Sequence, residues 1–350
     1  MTIEELRAPG VGRPPLLTPR PAAVRCDGPD REDPDRKDPD RKDMVWIAGG
    51  TFWLGSEDFY FEERPVHQVR VDGFWMDTHP VTVAEFRRFV NETGYVTVAE
   101  RVPAAADYPD VPPENLVPGS LVFTPPDHRV PLDDYRRWWS YVPHADWRHP
   151  EGPGSNVGER NRHPVTQVSY LDAVAYAQWA GKQIATEAQW EFAARGGLDR
   201  KAYVWGDEFE PRGRPMANVW HGEFPWQNTG RDGYERTSPV GKFRPNGYGL
   251  YDMAGNVWEW TSDVYTADHS VSGKNITPAS SCCVPTNPRI GVAPQGGDGD
   301  GEGQGFVRRV IKGGSHLCAP NYCRRYRPAA RQGETEEAAT GHLGFRCIAY

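Results

Sequence analysis

Three short helices, each with its own start and stop signals, are the feature that most constrains the fold of this chain. At each start, Ser or Thr stands three residues before Glu, Asp or Gln, a pattern that satisfies free backbone N–H groups of the first helical turn. A glycine suited to ending a helix closes each apolar-periodic run. The pairs are Thr82 with Glu85, Ser169 with Asp172 and Thr186 with Gln189, and the glycines are Gly94, Gly181 and Gly196. The spacing predicts helices over about 83–93, 170–180 and 187–195.

The rest of the chain is rich in turn-forming and aromatic residues. Among 350 residues there are 37 Gly, 33 Pro and 13 Trp, which favour short strands and long ordered loops over a helical bundle. Hydrophobic residues make up 38%, enough to form a core. We see no internal repeat in the folded part. The sequence therefore predicts one α+β domain of low regular secondary structure over residues 44–350.

Two segments read as poorly structured. Residues 1–43 are proline-rich and contain the charged repeat PDRED-PDRKD-PDRKD, so we predict a disordered segment without chemistry. Residues 266–306 include GGDGDGEGQG and predict a flexible surface loop. This loop contains the adjacent Cys282 and Cys283, which would be strained if they bridged each other.

Composition and charge exclude several classes of protein. A net charge of −8 argues against general nucleic-acid binding. The chain has no apolar run long enough for a transmembrane helix, and its first fifteen residues lack the apolar core of a secretory signal. Six cysteines in 350 residues do not form a disulfide scaffold. We therefore expect a protein of the reducing cytoplasm.

Most of the chemical information lies near the C-terminus, in the segment KGGSHLCAPNYCRRYRPAARQ. Cys318 and Cys323 stand five residues apart, after a Gly-Gly-Ser turn and among arginines and tyrosines. Positive charge favours thiolates, and two thiolates close together suit a soft ion such as Cu(I). Spacing alone, however, favours a structural disulfide or two buried core thiols.

Two other stretches concentrate oxygen ligands in turns. One runs from Asp252 to Glu259, with alternate positions able to face one point, and the other pairs Asn218 with Asp232. Calcium takes six to eight such oxygens, often mixing carboxylates with backbone carbonyls. Taken alone, both stretches are better explained by ordinary Asx turns and helix capping, since neither fits the EF-hand pattern.

Seven separated segments stand in the order typical of one family. They are distributed over about residues 44–350, nearly the whole folded part, and they resemble the formylglycine-generating enzymes, also called sulfatase-modifying factors, whose domain is of the C-type-lectin-like type. The specific part is the Cys-x4-Cys pair that follows Gly-Gly-Ser. The segments are MVWIAGGTFWLGS (44–56), VDGFWMDTHPVT (71–82), HPVTQVSYLDAVAYAQWAGK (163–182), ATEAQWEFAARGG (185–197), NGYGLYDMAGNVWEWTSD (246–263), KGGSHLCAPNYCRRYRPAAR (312–331) and GFRC (344–347).

The resemblance implies an oxidoreductase that matures sulfatases. Its client is an unfolded sulfatase or peptide bearing Cys-x-Pro-x-Arg, whose cysteine becomes Cα-formylglycine, a post-translational modification that needs O2, Cu(I) and an external reductant. The implied copper ligands are Cys318 and Cys323. Residues implied to line the oxygen and thiol pocket are Ser315, Trp258 and Tyr322. Arg331 and His342 match peptide-contacting positions, and we predict that Trp138 and Trp139 wall a groove leading to the thiols.

The resemblance also implies two structural calcium sites, which would be formed by the two oxygen-rich turns. The first would use Asn218, Val219, Asp232 and Tyr234, with Val219 and Tyr234 supplying backbone carbonyls. The second would use Asp252, Gly255, Val257 and Glu259.

The chain departs from the family pattern at a few positions. Structural disulfides of secretory members fall here on Ala177 and Pro328, which leaves Cys347 without a partner and fits a cytoplasmic, prokaryote-like version. An asparagine common in the family is His342 here, which puts its contact with the client in doubt. The motifs do not explain Cys282 and Cys283.

Two other functions compete with the copper oxidase. A non-haem iron sulfoxide synthase would need a helical H-x3-E-x-x-H triad, and none of the ten histidines has that spacing. A non-catalytic lectin-like module would bind peptide or glycan through its Trp-rich surface. Cys318 and Cys323 argue against this alternative, because a binding module gains nothing from two thiols in an arginine-rich turn.

Overall fold

The computed structural model describes residues 41–105, 111–267, 284–289 and 307–350. The predicted disordered segment 1–43 lies outside these ranges except for its last three residues. Most of the predicted loop 266–306, including Cys282 and Cys283, is also outside the described residues. In the described ranges, no helix combines the length and the apolar character needed to cross a bilayer.

The three predicted helices are confirmed. They are α1 Val83–Thr93, α2 Tyr170–Trp179 and α3 Glu187–Arg195. Each begins with a complete capping box, in which the Ser or Thr side chain and the residue three positions later bond each other's backbone N–H. α1 and α3 end on Gly94 and Gly196 in the left-handed conformation, while α2 ends on Ala180 with left-handed Gly181 directly after it.

The strands are short, as the abundance of turn residues predicts. Strands of the described ranges are β1 Met44–Ile47, β2 Gly50–Leu54, β3 His67–Val71, β4 Phe74–Asp77, β5 Gly119–Phe123, β6 Trp139–Pro143, β7 Gln183–Ile184, β8 Trp258–Val264, β9 Arg308–Lys312, β10 Arg331–Thr335, β11 Leu343–Gly344 and β12 Cys347–Ala349. One four-stranded antiparallel sheet has the order β1-β4-β12-β7, so the C-terminal strand lies between two others and buries Cys347.

A second sheet carries the cysteine segment. Its order is β10-β9-β8-β11, antiparallel except for the parallel pair β8–β11. β9 ends at Lys312, so the Gly-Gly-Ser turn and the cysteine segment follow at the C-terminal end of this inner strand. Two hairpins, β2–β3 and β5–β6, complete the strand pairing of the described residues.

Aromatic side chains dominate the core. In the larger cluster, Tyr176 of α2 packs against Phe86 of α1 and Phe345 beside β12, with ring centroids 6.0 and 5.3 Å apart. A smaller cluster lies beside the β5–β6 hairpin and consists of Leu121, Phe123, Val130, Trp138, Trp139, Trp220, Phe224, Leu317 and Ala319. Three helices, short strands and long ordered loops confirm the predicted α+β class.

A buried ionic network joins α3 to the second sheet. The ammonium of Lys312 lies 2.9 Å from Glu191 and 3.4 Å from Glu187, and none of these side chains is more than 6% exposed. Arg195 pairs with Glu191 at 2.6 Å, and Arg331 of β10 pairs with Glu187 at 2.8 Å. Burial alone would raise the pKa of Glu191, but Lys312 and Arg195 outweigh it and hold that pKa below its usual value.

We expect Glu191→Ala to lower the free energy of unfolding by about 3–5 kcal/mol, because it removes the buried carboxylate partner of Arg195 and leaves Lys312 with only the longer contact to Glu187. Urea unfolding monitored by tryptophan fluorescence measures the change. Lys201→Ala breaks the exposed pair with Asp207 and serves as the control, with an expected loss of at most about 1 kcal/mol. Equal losses in the two variants would contradict a structural role for the network.

Candidate active site

A tight glycine turn carries the chain from β9 to the first cysteine. Gly313 and Gly314 have φ angles of 90° and 68°, in the region that disfavours other residues. A Cβ atom on Gly314 would lie 2.8 Å from the backbone of Arg325. The turn therefore packs directly on the segment that follows the second cysteine, and only glycine permits this approach.

Cys318 and Cys323 come together as predicted. Their Sγ atoms are 3.2 Å apart, and the two residues are 2% and 8% exposed. Since a disulfide bond is about 2.05 Å long, both are free thiols. Backbone bonds from Cys318 to Ser315 and from Cys323 to Ala319 curl the segment and turn both sulfurs to the same place.

The two thiols differ in charge. Burial raises the pKa of Cys318 well above its usual value, and the nearby Cys323 adds to this. For Cys323, the hydrogen bond with Cys318 and the charge of Arg325 together outweigh burial and lower the pKa to about 6. At neutral pH the pair therefore holds one proton, on Cys318, and Cys323 is the thiolate.

Of the other predicted pocket residues, Ser315 contacts the pair directly. Ser315 is fully buried, and its backbone N–H donates to the Sγ of Cys318 at 3.4 Å. Trp258 belongs to the same buried cluster as both cysteines. Tyr322 is 42% exposed, and burial of its hydroxyl raises its pKa to about 12. The thiol pair thus has a buried side at Ser315 and a more open side at Tyr322.

The predicted aromatic wall supports that open side. Tyr322 stacks on Phe224 with ring centroids 4.5 Å apart, and the Trp138 ring meets it edge-on, with centroids 5.7 Å apart. Trp139 contacts His342 with centroids 4.9 Å apart. Because Trp138 is only 1% exposed and Trp139 8%, neither offers an open face, and the groove that they are predicted to wall stays a prediction. Burial lowers the pKa of His342 to about 3, so its imidazole is neutral.

Arg331, which matches a peptide-contacting position of the family, is buried in an ion pair in this structure. Its side chain is fully buried, and its Nε and Nη2 bind the carboxylate of Glu187. Its Nη1 donates to the backbone carbonyls of Glu62 and Thr266. Contact with a peptide stays a prediction for this residue, and its observed task is to support the strand and loops beside the site.

The four residues of the first predicted calcium site converge in one pair of turns. The Asp232 carboxylate accepts N–H bonds from Val219 and Tyr234, each at 3.0 Å. The Asn218 amide nitrogen donates to the carbonyl of Arg236, which leaves the amide oxygen as a ligand atom. Burial raises the pKa of Asp232, so a cation here would stabilise its charge. The donor set fits calcium.

The second predicted calcium turn abuts the first. The backbone carbonyl of Asn218 accepts from the N–H of Asn256 at 2.8 Å, and a Cβ on Gly255 would lie 2.2 Å from this oxygen. Asp252 is 8% exposed, and burial raises its pKa. The carbonyls of Gly255 and Val257 belong to the same turn, so Asp252 and these carbonyls fit a calcium site.

Glu259 fits the second site less well. Both of its carboxylate oxygens bind the guanidinium of Arg346 at 2.7 Å, and one also accepts from the indole of Trp190 at 2.8 Å. A calcium ion would share this carboxylate with a fixed positive charge. Among the described residues, no cluster of three or more His, Cys, Asp or Glu side chains is arranged to hold a metal. Calcium bound in either turn would therefore need backbone oxygens as ligands.

Sequence reasoning missed the segment that covers the arginines after Cys323. Tyr60 accepts the N–H of Arg324 through its hydroxyl, and Glu62 pairs with Arg325 at 2.6 Å. The signal available was the charge of FYFEE at residues 59–63, opposite in sign to RRYR at residues 324–327. Such long-range complementarity identifies no partner without the structure.

A family profile described as "Sulfatase-modifying factor enzyme 1-like domain" matches residues 30–350. The chain belongs to this family. The assignment made from the separated motifs is thereby confirmed, and the match covers every residue that was predicted to form the site.

Relatives over most of the chain support the same assignment. The formylglycine-generating enzyme of Mycobacterium tuberculosis is 48% identical over 306 residues, 87% of this chain and 97% of the relative. That of Streptomyces coelicolor is 41% identical, covering 95% of each. A mouse protein named inactive C-alpha-formylglycine-generating enzyme 2 is 37% identical, covering 87% of this chain and 84% of its own. Overall similarity therefore includes an inactive relative, and the site residues must carry the functional argument.

Solved structures agree with the fold. PvdO from Pseudomonas aeruginosa has a TM-score of 0.57 at 22% identity, over 89% of this chain and 96% of that chain. Treponema denticola variable protein 1 has a TM-score of 0.51 at 20% identity, over 87% and 94%. At this level of identity the likeness concerns the fold alone, not the chemistry.

In reduced, metal-free protein we expect iodoacetamide to alkylate Cys323 before Cys318 and Cys347, because the thiolate is the nucleophile. The rate at Cys323 should rise with pH around a midpoint of about 6. Cys318 and Cys347 should stay slow at neutral pH, since burial raises both of their pKa values. Peptide mass mapping after timed quenching measures each site, and a midpoint for Cys323 at the ordinary thiol pKa of 9.0 would contradict this assignment.

Proposed function

We propose that this chain is a copper-dependent oxidase that converts the cysteine of a Cys-x-Pro-x-Arg motif to Cα-formylglycine, using O2. The client is a sulfatase that is still unfolded. The observation that carries the proposal is the pair of free thiols 3.2 Å apart, one of them a thiolate, in a chain of this family. Relatives that are formylglycine-generating enzymes support formylglycine as the product, and the thiol pair supports copper as the cofactor.

The thiol pair fits Cu(I) by its donor chemistry. Cys318 and Cys323 would hold the ion, because thiolates are soft ligands and soft ligands select Cu(I). Cys323 already carries its charge near neutral pH, so binding displaces essentially one proton, that of Cys318. When bound, copper supplies the one-electron chemistry that a direct reaction of a thiol with O2 lacks.

The residues around the pair exclude water and position the client. Ser315, which bonds Cys318 and is fully buried, would close one side of the thiols, and buried Trp258 is proposed to line the same pocket. Tyr322 lies at the open side on a rigid aromatic support, so the client cysteine would enter past its ring. A client peptide would lie extended along this side, because its cysteine must reach two sulfurs that are themselves buried.

The proposed reaction balances with an external reductant. The client CH2–SH group, O2, two electrons and two protons give the aldehyde, hydrogen sulfide and water. One C–H bond and the C–S bond of the client break, the carbon is oxidised to the aldehyde level, and O2 is reduced. The reductant supplies the two electrons, and the three free cysteines of the described residues support a reducing compartment such as the cytoplasm.

A lectin-like binding module is the alternative that the site disfavours. Such a module would present exposed aromatic side chains to its ligand, whereas Trp138 and Trp139 are almost entirely buried. Keeping a thiolate inside the protein is costly, and binding alone gains nothing from it. The buried thiol pair therefore favours the oxidase.

We expect a peptide containing Cys-x-Pro-x-Arg, incubated with protein, Cu(I), O2 and a thiol reductant, to lose its cysteine and gain an aldehyde. Cys318→Ser and Cys323→Ser should each abolish tight Cu(I) binding and turnover, because a hydroxyl is a poor ligand for this ion. Mass spectrometry follows the peptide, and competition with a Cu(I) chelator follows the metal. Cys347→Ser, a buried thiol outside the pair, is the control.

The same peptide with Ser in place of Cys should not react, and the motif buried in a folded sulfatase should be inert, since the client must reach the thiols. Equal conversion of the Ser and Cys peptides would overturn the copper mechanism. Full retention of copper in either cysteine variant would overturn the ligand assignment.

The two turns around Asn218 and Asp252 are proposed to hold structural calcium, so a strong chelator should lower the melting temperature. A ligand that binds only the native state stabilises it by about 2.7 kcal/mol at a hundredfold excess over its Kd. Calorimetry with and without added calcium measures this, and Asp232→Asn should reduce the calcium effect. Asp127→Asn, at a side chain 94% exposed, is the control. An unchanged melting curve after confirmed calcium removal would count against both sites.

A further inference from the structure

A short acidic segment, residues 59–63, lies across the arginines that follow Cys323. We call it the strap. The Tyr60 hydroxyl accepts the N–H of Arg324 at 2.9 Å, and the Tyr60 ring lies under the guanidinium of Arg325 at 4.0 Å. Phe59 lies under the guanidinium of Arg327 at 3.6 Å. Hydrogen bonding and cation–π contact therefore fix the strap on the catalytic segment at several points.

Two ion pairs fasten the strap, and only one of them reaches a cysteine. Glu62 binds Nη2 of Arg325 at 2.6 Å, while Nη1 of the same guanidinium lies 3.9 Å from the Sγ of Cys323. Glu63 binds Arg327 in a pair that is at most 1% exposed. The contacts of Arg327 are with Glu63, the carbonyl of Arg324 and the strap aromatics, not with sulfur.

The geometry of Arg325 differs from that of a purely structural pair. Its Nε is buried without a hydrogen-bond partner among the described residues, whereas Arg327 uses Nε and both Nη atoms. Nη2 of Arg325 thus binds Glu62, and its Nη1 contacts the Sγ of Cys323. A flexible arginine side chain stays at one point only when an anchor fixes it.

We propose that Glu62 is a positioning residue, which holds the Arg325 guanidinium against the Sγ of Cys323 and so maintains positive charge at the thiol pair. This inference deepens the proposed function and rests on it in so far as the pair is the reacting centre. Glu62 itself touches neither thiol. It acts through Arg325, so its contribution is separable from that of the neighbouring Glu63.

The test compares Glu62→Gln with the matched variant Glu63→Gln in reduced, metal-free protein at pH 7. We expect alkylation of Cys323 by iodoacetamide to slow about tenfold in Glu62→Gln, in line with the usual worth of a hydrogen bond to a charged group. Glu63→Gln should leave this rate within about twofold. Because both variants loosen the same strap, a change that reflects access alone would appear in both.

A second control protects the comparison if Glu63→Gln fails to fold. Glu57→Gln alters a residue just before the strap that is 53% exposed and bonds Val66 rather than the arginines after Cys323. Its alkylation rate should match the unmodified protein. Arg325→Lys is the second variant of the positioning arm and should slow alkylation as Glu62→Gln does, because lysine cannot span Glu62 and Cys323 together.

In peptide turnover, Glu62→Gln should lower kcat about tenfold and leave KM within about twofold of the unmodified protein. The cause is the same, because Arg325 no longer holds its positive charge at the thiol pair. Alkylation of Cys323 at the unmodified rate in Glu62→Gln, or the same change in Glu62→Gln and the controls, would overturn the positioning role. The alkylation readout needs no client, copper or O2. Failure of the unmodified protein to convert any peptide would therefore overturn the proposed function, while the link from Glu62 to Cys323 would still be decided.

Discussion

The buried ammonium of Lys312 is the interaction on which the site depends. Lys312 is the last residue of β9, and the glycine turn that leads to Cys318 begins at the next position. Two carboxylates of α3, from Glu187 and Glu191, hold this ammonium where no solvent reaches it. A buried charge tolerates few alternative arrangements, because any shift that separates it from its partners leaves it uncompensated. The network therefore fixes the register of β9 against α3, and with it the starting point of the turn.

A continuous series of contacts leads from this network to the thiolate. Glu187 binds Arg331, and Arg331 donates to the backbone carbonyl of Glu62. The carboxylate of Glu62 binds Arg325, which lies against Cys323. Each guanidinium along this series binds a carboxylate, Arg331 that of Glu187 and Arg325 that of Glu62, and the backbone carbonyl of Glu62 joins the two pairs. Arg331, whose side chain is fully buried, thus connects the ionic network to the strap.

Much of the fold could be predicted from sequence because its signals are local. The capping pair Thr82 and Glu85 is three residues apart, and the cysteine pair is five residues apart, so both are visible in short windows. The bonds from Glu62 to Arg325 and from Glu259 to Arg346 join residues 263 and 87 positions apart. Charge pattern alone cannot choose among so many possible partners. For the same reason, the pairing of Arg331 with Glu187 could not be foreseen.

The unequal thiols connect the fold to the proposed chemistry. Two buried sulfurs 3.2 Å apart cannot both be charged, so they share one proton and one negative charge. A buried negative charge lowers stability unless a positive charge offsets it, and the guanidinium of Arg325 does so beside Cys323. A soft cation bound by both sulfurs would replace the shared proton and neutralise the second charge. The pair therefore carries one negative charge that Arg325 offsets only in part, and this donor chemistry is what the proposed copper ligands require.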